Sequence, residues 1–166
     1  MSLEGYKAGL SEQYQGEVTG EVAINCLLSR FRSPWQQYLL GTALQLETET
    51  KARLRPVLIQ LGIDIRESEE SREAGVGLGQ LVETLDWQGS MDLLGQALGP
   101  YVDKYQEIAD IAPPEYKELA DMMVEHERSI QQLFAQEALG TAQSAIEDVN
   151  KQLISPLPIP GRVFSE

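Results

Sequence analysis

The chain has one cysteine, one histidine and no excess of positive charge, and each shortage excludes a class of function. Cys26 has no second cysteine to pair with, so no disulfide forms within the chain, as suits a reducing compartment. A formal net charge of -13 makes nucleic acids and anionic membranes unfavourable partners. His126 alone cannot form a site that needs two histidines, such as the HExxH zinc motif.

Long apolar runs are also missing. No stretch approaches the roughly 18 apolar residues of a membrane span, and the N-terminus lacks the basic and apolar blocks of a signal peptide. With 166 residues, of which 42% are hydrophobic, the chain is long enough to bury a substantial core. We therefore expect a soluble cytoplasmic protein that binds neither nucleic acid nor membranes.

Four long segments have the apolar spacing of amphipathic helices. Ser33 to Gln36 form a capping box with proline in the first turn, and Gly62 and Gly140 stand where helices end in a left-handed residue. Pro56 should kink the second helix or end it early. The predicted helices are Leu10–Arg32, Pro34–Leu61, Met91–Asp110 and Pro114–Leu139.

The connections predict how these helices are arranged. The first and last are short and make antiparallel neighbours, whereas the middle one, Gly62 to about Ser90, is long enough to cross the bundle. This pattern predicts an all-α, up-down-down-up four-helix bundle with one crossover over residues 1–140. Residues 141–166 should form a short fifth helix and an extended proline-rich tail. The crossover should begin with a solvated acidic run, break near Gly89, and contain a small amphipathic helix with Leu78, Leu81, Val82 and Leu85.

Several polar side chains fall on the apolar stripes of the helices. Glu21 lies in the middle of the stripe of the first helix, Glu17 lies one turn earlier on the same side, and Glu47 interrupts the stripe of the second helix. On the fourth helix, His126 is inside the stripe and Glu127 is at its edge. A small error in the phase of the first helix would exchange Glu17 and Glu21, so both remain candidates for the inward carboxylate.

Buried glutamates need a partner, because an isolated carboxylate in the core costs several kcal/mol or takes up a proton. Two explanations are open. A bound metal ion would supply the opposing charge, and its candidate ligands are Glu17, Glu21, Glu47, His126 and Glu127. A hydrogen-bonded polar cluster needs no metal, and its candidate partners are Tyr101, Tyr105, Asn25 and Lys51.

Three segments resemble the ferritin-like superfamily of carboxylate-bridged four-helix bundles: GEVTGEVA, LQLETETKARL and MMVEHERSIQQLFAQEALG. The last is similar to the fourth helix of rubrerythrin-like proteins. The family pattern places one Glu on each of two helices and Glu-x-x-His on each of the other two, around two metals that are usually iron. The resemblance covers about residues 10–140, and it implies metal ligands at Glu21 or Glu17, at Glu47 and at His126.

The ligand set that the resemblance implies is incomplete. Thr50 stands where the family has a histidine after Glu47, Met123 stands where it has a glutamate before His126, and the third helix has no match. Two functions follow as hypotheses. One is a non-redox binding or scaffold bundle, a homodimer whose Glu/Glu/His cluster only fixes the helix register. The other is a metalloprotein with one iron, manganese or zinc ion and oxidoreductase activity on an unidentified small molecule. Whether the protein is an enzyme stays open.

Overall fold

The computed structural model describes residues 3–160, and within that range it consists of helices and loops without a β-strand. The all-α prediction is confirmed. None of the described helices is long and apolar enough to cross a membrane. The helices of the described range are α1 (Leu3–Arg30), α2 (Pro34–Gln60), α3 (Glu69–Val82), α4 (Trp87–Asp110), α5 (Lys117–Ala138) and α6 (Gln143–Gln152), with a 3-10 turn at Pro114–Tyr116 before α5.

The predicted caps set the ends of several helices. The Ser33 side chain accepts a hydrogen bond from the Gln36 N–H, and the Gln36 side chain accepts one from the Ser33 N–H, so the capping box is complete. Gly62 and Gly140 have φ values of 70° and 72°, and they end α2 and α5 in the left-handed conformation. Pro56 does not end α2, which continues past it.

Two helices begin earlier than the sequence predicts. The first is α1, which starts at Leu3 rather than at Leu10. α4 starts at Trp87 rather than Met91, because the Asp86 side chain accepts a hydrogen bond from the Gly89 N–H and caps the helix there. The predicted break at Gly89 is therefore wrong, since Gly89 lies in the first turn of α4. The buried indole of Trp87 extends the apolar stripe of this helix back by one turn.

The crossover between α2 and α4 contains α3, and its acidic run is helical. The Ser68 side chain accepts a hydrogen bond from the Ser71 N–H, so α3 begins at Glu69, inside the run predicted to be a solvated connection. The apolar face of α3 also differs from the prediction. Leu81 is 58% exposed and Leu85 lies beyond the end of the helix.

Two glycines, rather than leucines, bring α3 against α1. A Cβ on Gly75 would lie 2.6 Å from the carbonyl oxygen of Thr19, and a Cβ on Gly79 would lie 2.6 Å from Cβ of Cys26. Both distances are too short for any larger residue, so the two helix backbones approach closely. Hydrophobic periodicity does not report such a contact, because glycine contributes almost nothing to an apolar stripe.

Contacts between the four long helices show their relative directions. Within each pair of neighbouring helices, the contact that lies later on one helix lies earlier on the other, so the neighbours run antiparallel. Because α2 and α4 both run antiparallel to α1, they share a direction. The contacts are Glu21–Lys51 and Leu28–Gln37 between α1 and α2, Gly9–Ile108 and Glu12–Lys104 between α1 and α4, Trp35–Glu137 and Thr50–His126 between α2 and α5, and Gly95–Gln131 and Ala109–Lys117 between α4 and α5.

The apolar core forms two clusters with a polar layer between them. On α2 the first cluster ends at Leu46 and the second begins at Leu54. On α5 the second cluster ends at Val124 and the first resumes at Ile130. The intervening segments carry the polar side chains that the sequence places on the core-facing stripes.

α6 and the segment after it close one side of the bundle. Glu49, which the helix phase turns away from the core, accepts hydrogen bonds from the backbone N–H groups of Ile154 and Ser155 at 2.7 and 3.4 Å. Leu157 fills the space beside Gly41. The tail therefore docks on the bundle up to residue 160, and residues 161–166 of the predicted tail lie outside the described residues. The apolar residues that α6 and its ends bury are Ala142, Ala145, Ile146, Val149 and Leu153.

Candidate metal centre

The inward carboxylate of α1 belongs to Glu17 and not to Glu21. Glu17 is 1% exposed and lies in the polar layer, whereas the carboxylate of Glu21 forms an ion pair with Lys51. Lys51 Nζ also lies 2.6 Å from Oε1 of Glu67, at the start of the crossover. Residues four apart on a helix differ in direction by only about 40°. That small angle is why both residues were candidates in the sequence.

Glu17, Glu47 and His126 converge on one point from three helices. Their ligand atoms all lie within 4.8 Å of one another, and all three side chains are buried. Nε2 of His126 is 3.0 Å from Oε2 of Glu17 and 3.6 Å from Oε2 of Glu47. When the ring is protonated, His126 Nε2 and Glu17 Oε2 form an ion pair; when Nε2 carries no proton, neither atom has a hydrogen-bond partner among the described residues. Buried polar atoms that meet without hydrogen-bonding call for a further partner.

Two neutral side chains hold the cluster in position. Thr50 Oγ1 and His126 Nδ1 share a hydrogen bond of 3.2 Å. With the proton on Nδ1, the lone pair of Nε2 faces the carboxylates. Tyr105, from α4, donates its hydroxyl to Oε1 of Glu17 at 3.3 Å. Tyr105 is among the partners named from the sequence, whereas Thr50 appeared there only as a departure from the family pattern.

The cluster contains more carboxyl groups than the nearby positive charge can balance. Burial, together with nearby Glu17, raises the pKa of Glu47 from 4.5 to about 8. Burial also raises the pKa of Glu127 from 4.5 to about 7, against the opposing effect of His126. For His126, burial acts to lower the pKa, but Glu17 and Glu47 outweigh it and raise that pKa well above 6.5. Without a cation, folding therefore leaves protons on these groups.

Glu127 is buried beside the cluster but outside the group of convergent atoms. Its side chain faces the same cavity as Glu17 and Glu47, and the residue is 5% exposed. Of the five ligand candidates from the sequence, the structure brings three together, places Glu127 alongside them, and places Glu21 with Lys51.

Two glycines on α1 provide the space for the cluster. A Cβ on Gly20 would lie 2.5 Å from Oε1 of Glu47, and a Cβ on Gly16 would lie 2.9 Å from the hydroxyl of Tyr105. Glycine inside a helix costs about 1 kcal/mol relative to alanine. The two glycines of the segment GEVTGEVA therefore lower the stability of the helix. In return they leave room for the carboxylate of Glu47 and for Tyr105, which contacts Glu17.

We expect Gly20→Ala to displace the carboxylate of Glu47 and to weaken the binding of a cation at this candidate site at least tenfold, because the new methyl group would lie only 2.5 Å from Oε1. Isothermal titration of the metal-free protein with Mn²⁺ or Zn²⁺ measures the effect. Gly77→Ala is the matched control, since nothing lies within 4 Å of a Cβ there. The control should keep its metal affinity and gain about 0.5–1 kcal/mol of stability. Equal metal affinities in the two variants would contradict the prediction.

Comparisons with protein-family models, with curated proteins and with solved structures gave no match to this chain. The arguments about its function therefore rest on the residues of the polar layer and on their geometry.

Proposed function

We propose that this chain is a ferritin-like metal-binding bundle that holds one divalent cation, iron, manganese or zinc, between Glu17, Glu47 and His126. The observation that carries the proposal is the convergence of three buried ligand groups, in which a neutral His126 leaves its Nε2 and Glu17 Oε2 without a hydrogen-bond partner within residues 3–160. An unsatisfied buried polar atom costs about 1–3 kcal/mol. A cation shared by these atoms would remove that cost.

The charge and chemistry of the donor set fit a divalent cation. Two glutamates and a neutral imidazole carry two negative charges, which such a cation balances. Carboxylate oxygens suit manganese, and imidazole nitrogen suits iron and zinc, so the mixed set suits any of the three. Three protein ligands leave coordination positions open for water or a substrate. A cation bound there would act as a Lewis acid and lower the pKa of its bound water.

The chain's own side chains would keep these ligands oriented. Tyr105 fixes one oxygen of Glu17, and Thr50 fixes the ring of His126, so each of these two ligands has a hydrogen-bonded partner on another helix. The antiparallel contacts of the neighbouring helices, with the long crossover between α2 and α4, support the ferritin-like up-down-down-up topology.

The second candidate is a metal-free scaffold bundle, in which the same polar layer only fixes the helix register. The hydrogen bonds of Tyr105 with Glu17 and of Thr50 with His126 favour it, because both can form without a cation. This candidate requires the folded protein to carry additional protons, since the pKa values of Glu47 and His126 are raised. In that state the protonated ring of His126 pairs with Glu17 at 3.0 Å.

Elemental analysis distinguishes the two candidates. The protein is produced in cells supplied with iron, manganese and zinc, and it is purified without a metal-affinity tag. We expect close to one metal ion per chain, lost in His126→Ala and kept in Glu125→Ala, which changes an exposed residue of the same helix. No metal in the wild-type protein would favour the scaffold. Two irons per chain would contradict a single-cation site.

A further inference from the structure

A cavity of about 350 Å³ lies beside the polar layer, between α1, α3 and α4. Leu78, Leu94 and Leu98 contribute apolar side chains to its wall, while Glu17, Glu47 and Glu127 contribute carboxylates. Ligand pockets are generally apolar with a few convergent polar groups, and their volumes run from about 300 Å³ upwards. The cavity has both properties.

Small residues keep this cavity open. Gly16 and Gly20 border it on α1, Ala74 borders it on α3 and Ala97 borders it on α4. Larger side chains at these four positions would fill the space next to the carboxylates. α4 instead makes its close contact with α5, where a Cβ on Gly95 would lie 3.0 Å from the backbone nitrogen of Ala135.

Glu127 is a polar group of the cavity whose one favourable charge interaction in the described part of the chain is with His126. It is 5% exposed and faces the cavity, and it forms no hydrogen bond or ion pair with any residue of the range 3–160. Glu17 has Tyr105, and both Glu17 and Glu47 face His126. A glutamate is almost never buried without a partner, so the missing partner of Glu127 points to a ligand in the cavity.

We propose that this cavity binds a small primary alkylamine, with the ammonium group at Glu127 and the alkyl chain along Leu78, Leu94 and Leu98. Three carboxyl groups against one imidazole on the polar side of the cavity favour a cationic ligand, because an ammonium group at short range stabilises their ionised forms. A divalent cation on Glu17, Glu47 and His126 would still leave the charge of Glu127 for the ligand to balance. An alkyl carboxylate would instead meet a like charge, which is unfavourable at short range.

The volume limits the length of the alkyl chain. A volume of about 350 Å³ lies at the lower end of the range for small-molecule pockets, so a short alkyl chain suits it better than a long one. The binding of an amine rests on Glu127 and the apolar wall. One part rests on the proposed function, because the cation would lie at Glu17 and Glu47. It is whether the amine lies beside a bound cation or beside the free carboxyl groups of these two residues.

The test is isothermal titration of metal-free and Mn²⁺-treated protein with octylamine, octanol and octanoate at pH 7.5. In the metal-free protein we expect octylamine to bind at least tenfold more tightly than octanoate. Glu127→Gln should lower the affinity for octylamine about tenfold and leave octanol unchanged. Glu125→Gln, at an exposed position of the same helix, should alter neither affinity. Equal binding of octylamine and octanoate, or no binding of either, would overturn the proposal.

A second variant separates this proposal from the metal site. Ala97→Phe places a ring in the cavity on the α4 side, whereas the three ligands lie on α1, α2 and α5. We expect it to abolish octylamine binding and to keep metal binding. Octylamine binding unaffected by Ala97→Phe would place the ligand elsewhere and sink the proposal. Amine binding that needs Glu127, in a protein that takes up no metal, would refute the proposed function and leave this inference standing.

Discussion

Manganese at a hundredfold excess over its dissociation constant is expected to raise the melting temperature of the wild-type protein by about 8 °C and that of Glu47→Gln not at all. A ligand at that excess, bound only to the folded state, stabilises it by about 2.7 kcal/mol. For a domain of this size, each kcal/mol corresponds to about 2–4 °C. The amide of the variant is neutral and cannot replace the carboxylate ligand. Circular dichroism at a helix wavelength, with manganese or with a chelator, measures both melting temperatures.

Glu21→Gln is the matched control for this experiment. It makes the same chemical change one turn from Glu17, at a carboxylate that pairs with Lys51. We expect the control to keep the full response to manganese. A response lost in Glu21→Gln and kept in Glu47→Gln would show that the ligands differ from those proposed. In the chelated state Glu47→Gln should melt no lower than the wild type, because it removes a buried carboxylate that lies beside Glu17.

Those parts of the fold that depend on local chemistry could be predicted from the sequence. The capping box at Ser33 and the left-handed glycines at 62 and 140 have the predicted geometry. Each of these signals involves only a few neighbouring residues, so tertiary packing had little opportunity to override it. The sequence analysis places the start of α4 too late. The helix is capped by Asp86 and begins at Trp87, which lies outside the apolar stripe that predicts a helix from Met91.

The candidate site could be predicted in part, for a reason that lies in helix geometry. Glu47 and His126 occupy the middle of their stripes, so a phase error of some tens of degrees leaves them inside. Glu17 and Glu21 differ in direction by only about 40° on α1, so the same error exchanges them. The hydrogen bond between Thr50 and His126 depends on the distance between two helices. The hydrophobic periodicity of a single helix does not predict the distance between two helices.

The cavity and the docked tail could not be predicted at all. Both depend on space: Gly16 and Gly20 keep room beside the cluster, and Gly41 admits Leu157. A glycine in a helical pattern signals that something approaches closely, but it does not identify what approaches. Glu49 shows the same limit, because its partners are backbone N–H groups more than a hundred residues away.

The metal-free protein is expected to lose about 6 kcal/mol of stability between pH 5 and pH 8. The pKa of Glu47 is about 8 and that of Glu127 is about 7 in the folded state, against 4.5 for an ordinary glutamate. The folded state therefore keeps protons that the unfolded state has released, and its stability falls as these groups ionise. Each unit of raised pKa corresponds to about 1.4 kcal/mol. Urea unfolding with a chelator at pH 5, 6.5 and 8 measures the change.

Of the other groups with shifted pKa values, His126 is the one that adds to the change in this pH window. Glu49 and Glu67 have lowered pKa values, so the stability they contribute changes only at lower pH. His126, whose pKa is raised by Glu17 and Glu47, acts in the same direction as the two raised glutamates. Glu47→Gln should remove most of the slope. Manganese should reverse its sign, because deprotonated ligands bind the cation more tightly as the pH rises. A metal-free protein equally stable at pH 5 and pH 8 would mean that the cluster carries no excess protons, and that its charge is balanced in another way.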